Sequence, residues 1–203
     1  MRRFVLKNIC DCSVAQQEQI LDLRNSDTIR REMYTDRIIT RDEHFNYIEQ
    51  LRIDRSRVVF CVLAENSDAV GILSISQIDR THKKCDWAFY LAGNVRGGVG
   101  SALEFFLIDF VFNIGGMKKL NCEVIETNEA VVAMHKKFGF IQEGLRRYNI
   151  VKDGNRIGVY FLGLTDLDWR RIRDDIVSRI GEKLSDIDIS FYKEPSQFEV
   201  VRN

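Results

Sequence analysis

The sequence carries no excess charge of either sign. Thirty lysine and arginine residues balance thirty aspartate and glutamate residues among 203 positions. Proteins that bind nucleic acid or a membrane surface through their overall charge have a clear surplus of basic residues. The balance excludes both functions as charge-driven activities. We therefore expect neither nucleic-acid nor membrane partners, and any charged ligand must meet a local patch.

Long apolar segments are also missing. The basic N-terminus lacks an apolar run long enough for a secretory signal, and no later stretch approaches the roughly 18 apolar residues of a membrane span. The five cysteines are an odd number and show no ligand-like spacing apart from Cys10-x-Cys12. These absences predict a cytoplasmic protein with reduced thiols and no metal site.

The length and the apolar fraction of 45% suit one domain with a complete core. Both kinds of periodicity are present along the chain. The predicted strands cover residues 4–9, 57–64, 70–78, 85–91, 119–126, 145–151 and 158–164. The predicted helices cover residues 13–24, 40–52, 128–139 and 166–179, with one more between residues 100 and 115. Residues 185–203 have no clear pattern.

The helix over residues 40–52 has a recognisable start. Thr40-Arg41-Asp42-Glu43 has the form of a capping box, in which the threonine and glutamate side chains each satisfy a free backbone N–H of the first turn. The apolar spacing predicts that this helix buries Phe45, Ile48 and Leu51.

A glycine-rich segment over residues 93–100 follows a predicted strand and opens a helix. Glycines let backbone N–H groups approach a ligand closely, and the helix N-terminus is partially positive, so the loop suits a pyrophosphate. No Gly-Lys-Ser/Thr follows, which excludes a P-loop. Three or four consecutive strands precede the loop, which excludes a dinucleotide-binding fold with alternating strands and helices. A purely structural turn remains the alternative.

A second motif covers residues 128–140 and ends in Lys-Phe-Gly-Phe. Asn128 is a typical N-cap, Glu129 complements the helix dipole, and Gly139 is typical of a helix C-terminus. His135 lies seven residues after Asn128, hence on the same helix face and roughly 10 Å further along the axis.

With these two motifs, residues 4–165 resemble the GNAT acetyltransferase superfamily. Within it the sequence is most similar to the nucleotide-sugar N-acetyltransferases of pseudaminic acid biosynthesis, which acetylate the 4-amino group of a UDP-linked 4-amino-4,6-dideoxy-N-acetyl-altrosamine. The residues that carry this similarity are Leu23-Arg24-Asn25, Met33-Tyr34-Thr35, Glu43-His44, Ile78-Asp79, Trp87-Ala88-Phe89-Tyr90-Leu91, Lys119-Leu120, Glu123, Gln142-Glu143-Gly144 and Gly163-Leu164.

The resemblance implies an α/β fold of the α+β type. Its central sheet is mixed, mostly antiparallel and flanked by helices. The acetyltransferase domain would cover residues 1–165, and residues 166–203 would form a charged C-terminal helix and tail. The same resemblance implies a V-shaped splay between the strand near Tyr90 and the strand near Glu123.

Acetyl-CoA is the co-substrate that the resemblance implies, with its pantetheine arm in the splay. The residues expected to bind it are Phe89, Tyr90, Leu91, Arg96, Gly97, Gly98, Val99, Gly100, Ser101, Asn128 and His135. One departure stands out: the family pattern Gln/Arg-x-x-Gly-x-Gly/Ala appears here as Val95-x-x-Gly98-x-Gly100, with the arginine one place late at Arg96.

Family members often carry tyrosine where this sequence has His135, placed to protonate the departing CoA thiolate. Histidine can serve there, because its reference pKa of about 6.5 lets it donate a proton near neutral pH; the alternative is a polar residue on a helix face. Glu126, Glu123 and Tyr90 are candidates for deprotonating the substrate ammonium, although a sugar amine with a lowered pKa needs no dedicated base. The N–H near Leu91 is the candidate for stabilising the oxyanion.

The resemblance assigns the acceptor side to Arg24, Asn25, Met33, Tyr34 and His44. An arginine suits a phosphate, and an aromatic ring suits a nucleobase or a sugar face. The expected reaction is direct attack of the 4-amino group of a nucleotide-linked sugar on the thioester.

Other interpretations stay open. The acceptor could be a protein N-terminus, as for ribosomal-protein acetyltransferases of the same superfamily, or the chain could be a non-catalytic acyl-CoA-binding module. The sequence also leaves open whether the chain forms a homodimer, and whether residues 166–203 pair subunits, cover the active site or do neither.

Overall fold

The computed structural model describes residues 1–198. Its strands form one sheet in the order β6-β7-β5-β4-β3-β2-β1-β8. The strands are β1 (Arg2–Asn8), β2 (Val58–Leu63), β3 (Ala69–Asp79), β4 (Lys84–Leu91), β5 (Lys119–Ile125), β6 (Ile141–Lys152), β7 (Asn155–Thr165) and β8 (Ile187–Phe191). The β1–β8 and β4–β5 pairs are parallel and the other neighbours antiparallel, so the mixed, mostly antiparallel sheet is confirmed.

Helices cover both faces of the sheet. They are α1 (Val14–Asn25), α2 (Asp27–Arg30), α3 (Arg41–Leu51), α4 (Val99–Asp109), which continues as a π-helical turn over Phe110–Ile114, α5 (Glu129–Lys137) and α6 (Asp166–Ser185). The capping box of Thr40 and Glu43 at the start of α3 is confirmed. Within residues 1–198, no helix is long and apolar enough to cross a membrane.

The strand β2 is buried on both faces, and its side chains point alternately into two hydrophobic cores, one on each face of the sheet. Val58, Phe60 and Val62 pack with α4, α5 and α6, whereas Val59 and Cys61 pack with α1 and α3. In α3 the buried residues are His44, Ile48 and Leu51. The expected burial of Phe45 was wrong, because its ring is half-buried at the side of the helix and lies under Arg41 at 4.6 Å.

Strands β4 and β5 begin together and then separate. They pair only over Lys84–Asp86 and Lys119–Asn121 among the described residues, and the Asn121 side chain donates to Asp86 Oδ1 (2.9 Å) at the last pair. Beyond that point β4 stays paired to β3, while β5 stays paired to β7. The strands around Tyr90 and Glu123 therefore form the two arms of a fork, as the expected splay requires.

The C-terminal segment is part of the same fold. Helix α6 extends to Ser185, six residues beyond the prediction, and β8 pairs with β1, so the absence of regular structure expected after residue 185 was wrong for residues 187–191. Trp169, Ile176, Ile187 and Phe198 are buried in the larger core. Residues 166–198 thus pack against the sheet and its helices, whereas residues 199–203 lie outside the described part of the chain.

Trp169 offers a test of whether α6 is energetically part of the acetyltransferase unit. Its side chain is fully buried, and its indole N–H donates to Asp109 Oδ1 at 3.2 Å. We expect Trp169→Phe to lower the free energy of unfolding by about 2 kcal/mol, because it loses that bond and leaves a void. Urea unfolding measures the loss.

The matched control is Leu167→Ala on the same helix, where the side chain is 59% exposed. It should change the free energy of unfolding by less than about 0.5 kcal/mol. Equal stability of the Trp169→Phe variant and the wild type would mean that residues 166–185 unfold separately from the sheet.

Candidate functional site

The glycine loop ends in two consecutive residues with left-handed backbone. Gly97 has φ 72° and Gly98 has φ 88°, conformations that only glycine adopts without strain. Gly98 is the N-cap of α4, and within residues 1–198 no side chain caps this helix. The first-turn N–H groups at Val99, Gly100 and Ser101 are therefore available to an anion, as a pyrophosphate cradle needs. The Arg96 side chain is exposed at the edge of this loop.

The arm of the fork that belongs to β4 carries the next predicted residues. Phe89, Tyr90 and Leu91 follow the last residue paired to β5, so in the described chain their β5-facing backbone edge is unpaired. The Phe89 ring stacks on Trp87 with centroids 5.4 Å apart and planes at 7°. An extended molecule such as pantetheine can add to this edge through the backbone.

A cavity of about 430 Å³ lies between β4 and the helices α1 and α3. Its volume is within the range of pockets that enclose small molecules. The predicted residues Arg24, Met33, His44, Phe89 and Tyr90 line it. The structure adds Ile9, Ile20, Ile39, Glu43, Tyr47, Val59, Ile72, Ser74 and Ala88 to the walls.

Arg24 is the cationic part of this cavity wall. Its Nη2 donates to the Thr35 carbonyl at 2.7 Å, whereas its Nη1 is buried without a hydrogen-bond partner among the described residues. Burial lowers the pKa of Arg24, although a guanidinium keeps its charge at neutral pH. A buried donor without an acceptor costs free energy, which an anionic ligand would recover.

Glu43 does not neutralise Arg24, because it has its own partner. Arg37 donates to both oxygens of the Glu43 carboxylate, at 2.7 and 2.9 Å. The bond from Arg37, with those from Thr40, lowers the pKa of Glu43 to about 2. Glu43 is the only carboxylate among the described residues that line the cavity. The unpaired charge of the cavity is therefore positive.

His44 reaches the cavity as a neutral ring. Its Nε2 lies 2.9 Å from the Gln17 carbonyl oxygen, which can only accept, so Nε2 carries the hydrogen. Burial lowers the pKa of His44. The second ring nitrogen, Nδ1, is then a hydrogen-bond acceptor.

The lowered pKa of His44 predicts a pH effect on stability. In the unfolded chain the His44 side chain is protonated near its reference pKa of about 6.5, whereas in the folded protein it is protonated only at lower pH. The unfolded state therefore binds more protons as the pH falls below about 6.5, and the free energy of unfolding decreases. We expect the unfolding temperature to drop from pH 7 to pH 5, and to drop less in His44→Gln, which keeps a donor for the Gln17 carbonyl. Calorimetry at both pH values measures the difference, and identical drops would contradict the assignment.

Two of the predicted acceptor residues lie outside the cavity. Asn25 uses its side-chain amide to bond the backbone of Ile39 in both directions, at 2.8 and 2.9 Å. The Tyr34 hydroxyl donates to Glu123 on β5, and burial, together with this hydrogen bond, raises the pKa of Tyr34. These residues hold the segment after α2 against its surroundings.

Lys152, which the sequence analysis missed, anchors the same segment from the β6–β7 hairpin. Its buried ammonium donates to the carbonyls of Arg30, Arg31 and Met33, at 3.1, 2.6 and 2.5 Å. No local pattern marks this lysine, because its partners are about 120 residues away in the chain. It fixes the backbone that carries Met33 into the cavity wall.

The second motif forms α5 as predicted. The Asn128 side chain accepts from the Val131 N–H at 3.3 Å and so caps the helix. His135 is 4% exposed and packs against Trp87, with ring centroids 5.2 Å apart. Its Nδ1 lies 2.7 Å from Oε1 of Glu104, a fully buried residue of α4.

Glu104 is a functional candidate that the sequence analysis did not identify. Burial raises its pKa, the bond from His135 opposes that rise, and its Oε2 is buried without a partner among the described residues. A glutamate within the otherwise apolar buried face of α4 is the signal that could have revealed it.

Two of the three candidates for a general base, Tyr90 and Glu126, differ in their surroundings. Burial raises the pKa of Tyr90, so its phenol is protonated at neutral pH. Glu126 lies past the end of β5, where its Oε1 accepts from the Gly158 N–H at 2.6 Å, outside the cavity. Their catalytic roles stay predictions.

In the described part of the chain, no group of three or more histidine, cysteine or acidic side chains could hold a metal ion. The five cysteines are free thiols. Burial raises the pKa of Cys122 well above the ordinary value, so this thiol on β5 is not an activated nucleophile.

Comparison with known proteins gives a family. The sequence profile of the acetyltransferase (GNAT) domain matches residues 15–158. None of the curated proteins compared with the chain matches it.

Solved structures agree on the fold. A spermidine N-acetyltransferase from Vibrio cholerae in complex with CoA and spermine is 17% identical, with a TM-score of 0.73 over 82% of this chain and 98% of that chain. An N-acetyltransferase from Staphylococcus aureus Mu50 is 21% identical, with a TM-score of 0.66 over 80% and 98%. A GCN5-related N-acetyltransferase from Brucella melitensis is 15% identical, with a TM-score of 0.67 over 80% and 76%.

Proposed function

Because the chain belongs to the GNAT acetyltransferase domain family, we propose that it acetylates the 4-amino group of a nucleotide-linked 4-amino-4,6-dideoxy sugar. The coarser activity is that of the family: acetyl-CoA-dependent transfer of an acetyl group to an amine. The proposal concerns the identity of the amine. Its main support is the unpaired buried Nη1 of Arg24 in the wall of the cavity.

The position of the cavity supports its role as the acceptor site. Strand β4 is a wall of the cavity and also one arm of the fork. A thioester in the fork and an amine in the cavity would therefore meet at β4, near Phe89 and Tyr90. The glycine cradle at the start of α4 suits the pyrophosphate of the same coenzyme.

The charge of the cavity favours an acceptor that carries an anionic group. Arg24 offers a buried donor, and Glu43 is already paired with Arg37. A polyamine, the ligand of the related V. cholerae enzyme, would bring further positive charge beside Arg24 without a free carboxylate to receive it. A nucleotide-linked sugar brings phosphate to the arginine, and Tyr47 and Tyr90 supply aromatic surface for the sugar.

In the proposed reaction the neutral sugar amine attacks the thioester directly. The backbone N–H near Leu91, on the unpaired edge of β4, stabilises the developing oxyanion. His135 protonates the departing thiolate. Glu126, through water, accepts the proton of the amine.

A panel of acceptors tests the proposal. The pure protein is incubated with acetyl-CoA and UDP- and dTDP-linked 4-amino-4,6-dideoxy sugars, spermidine, and peptides with free N-termini, and release of CoA thiol is followed. Turnover of one nucleotide sugar alone is the expected result. Turnover of spermidine or of peptides alone would overturn the sugar assignment, and no turnover despite tight acetyl-CoA binding would favour a binding module.

A further inference from the structure

Arg2, from the first strand, reaches the glycine loop. Its Nη1 donates to the Arg96 carbonyl at 2.7 Å and its Nη2 to the Gly97 carbonyl at 2.6 Å. The guanidinium thus bonds two successive carbonyls of the loop with its two terminal nitrogens. These partners lie 94 and 95 residues away in the chain.

The C-terminal strand holds Arg2 in this position. The Arg2 N–H donates to the Asp186 carbonyl at 2.7 Å, and Arg2 is in register with Ile187 of β8. Ile187 is buried in the larger core. The backbone from which the Arg2 side chain extends is therefore fixed by the segment that follows α6.

The two bonds orient the peptide groups of the loop. In a trans peptide the C=O of one residue and the N–H of the next point in opposite directions. Because the carbonyls of Arg96 and Gly97 point to Arg2, the N–H groups of Gly97 and Gly98 point away from it. These are the two residues with left-handed backbone, a geometry that turns successive N–H groups into an anion-binding concavity.

Arg2 also brings a second positive charge to the loop, beside that of Arg96. Val95 occupies the position where the family pattern has glutamine or arginine, and its side chain packs against the larger core. The Arg2 guanidinium is held at the carbonyl side of the loop by its two hydrogen bonds, so its position there is fixed. A cation next to an anion site strengthens binding there.

We propose that Arg2 is a positioning residue for the coenzyme: it orients the N–H groups of Gly97 and Gly98 toward the pyrophosphate, and β8 holds it in place. The inference concerns acetyl-CoA, the co-substrate common to the family, and is independent of the acceptor. It assigns residues 186–191 a role in coenzyme binding in addition to packing.

Calorimetric titration with CoA, with 3′-dephospho-CoA and with pantetheine, which has no phosphate, tests the inference. In Arg2→Ala the Kd of CoA and of dephospho-CoA should rise about five- to tenfold, while the Kd of pantetheine changes less than twofold. A rise of the same factor for pantetheine, or no change for CoA, would overturn it.

The matched control is Arg3→Ala on the same strand. The Arg3 side chain makes an exposed ion pair with Asp188 at 3.6 Å, and its backbone N–H, which the substitution keeps, donates to Glu65. Arg3→Ala removes one positive charge from β1, as Arg2→Ala does, but it removes no bond to the glycine loop. Its CoA affinity should therefore equal that of the wild type. Weakened CoA binding in Arg3→Ala, equal to that of Arg2→Ala, would reduce the effect to overall charge and contradict the orienting role.

Arg2→Lys separates orientation from charge. One ammonium keeps the charge but lacks the rigid fork of donors that bonds two carbonyls at once. We expect a Kd between those of the wild type and Arg2→Ala. Wild-type affinity in Arg2→Lys would contradict the orienting role.

Discussion

Replacing Arg24 with methionine should lower kcat/KM for the nucleotide-linked amino sugar about a hundredfold and leave the Kd of acetyl-CoA unchanged. The reason is the unpaired Nη1 in the cavity wall, which would donate to an anionic group of the acceptor. A charge-assisted hydrogen bond in a buried site contributes about 2–3 kcal/mol, which corresponds to a factor of this size. Methionine keeps the apolar stem of the side chain. Steady-state kinetics with varied acceptor measure the loss.

Arg24 also holds the loop through the Thr35 carbonyl, so the variant needs a control. Lys152→Met removes a cation that holds the same loop from outside the cavity. It should slow acetylation of a nucleotide-linked sugar and of the same amino sugar without its nucleotide by equal factors. Arg24→Met should slow only the nucleotide-linked one. Equal losses for both acceptors in Arg24→Met would remove the case for an anionic substrate.

The sequence predicted those parts of the fold in which local pattern and tertiary packing agree. The capping box at Thr40, the cap at Asn128 and the glycine stop at Gly139 each depend on neighbours within a few residues, and all three helix ends are confirmed. The strand β8 was missed because five residues carry too short an alternation to identify. Its partner β1 lies at the other end of the chain.

The difference between local pattern and tertiary contact also explains which site residues were predicted. Arg24, Met33 and His44 were predicted from resemblance, and the structure brings them together in one cavity. Asn25 directly follows Arg24 and Tyr34 directly follows Met33, but their side chains bond partners outside the cavity. Sequence proximity says which segment lies at a site, whereas the direction of each side chain depends on the tertiary structure.

The residues that the sequence could not identify act across long separations. Lys152 bonds carbonyls about 120 residues away, and Arg2 bonds carbonyls about 95 residues away. A single basic residue in a polar hairpin or at a chain terminus has no local feature that distinguishes it from a solvated one. Such contacts become visible only when the strands that carry them are placed in one sheet.

Replacing His135 with glutamine should lower kcat at least a hundredfold with little change in the Kd of acetyl-CoA. General acid catalysis contributes about 10²- to 10⁴-fold when the proton donor is positioned at the leaving group. Glutamine retains polarity and most of the volume beside Trp87 but has no proton to transfer at neutral pH. Pre-steady-state acetyl transfer, with urea unfolding as a check on the fold, separates chemistry from stability.

Comparing kcat with stability distinguishes a general acid from a buried polar residue. If His135 donates the proton, His135→Gln loses kcat even under conditions in which the variant is fully folded. If the ring serves only to pack against Trp87, the variant loses stability but keeps kcat.

Glu104 is the buried partner of His135, with Oε1 of its carboxyl group 2.7 Å from Nδ1 of the ring. A hydrogen bond at Nδ1 fixes the orientation of the ring, so Glu104→Gln, which keeps an acceptor oxygen, should lower kcat less than His135→Gln does, since the proton donor itself remains. Equal kcat in Glu104→Gln and in the wild type, together with the full loss in His135→Gln, would mean that the histidine works without help from the carboxylate.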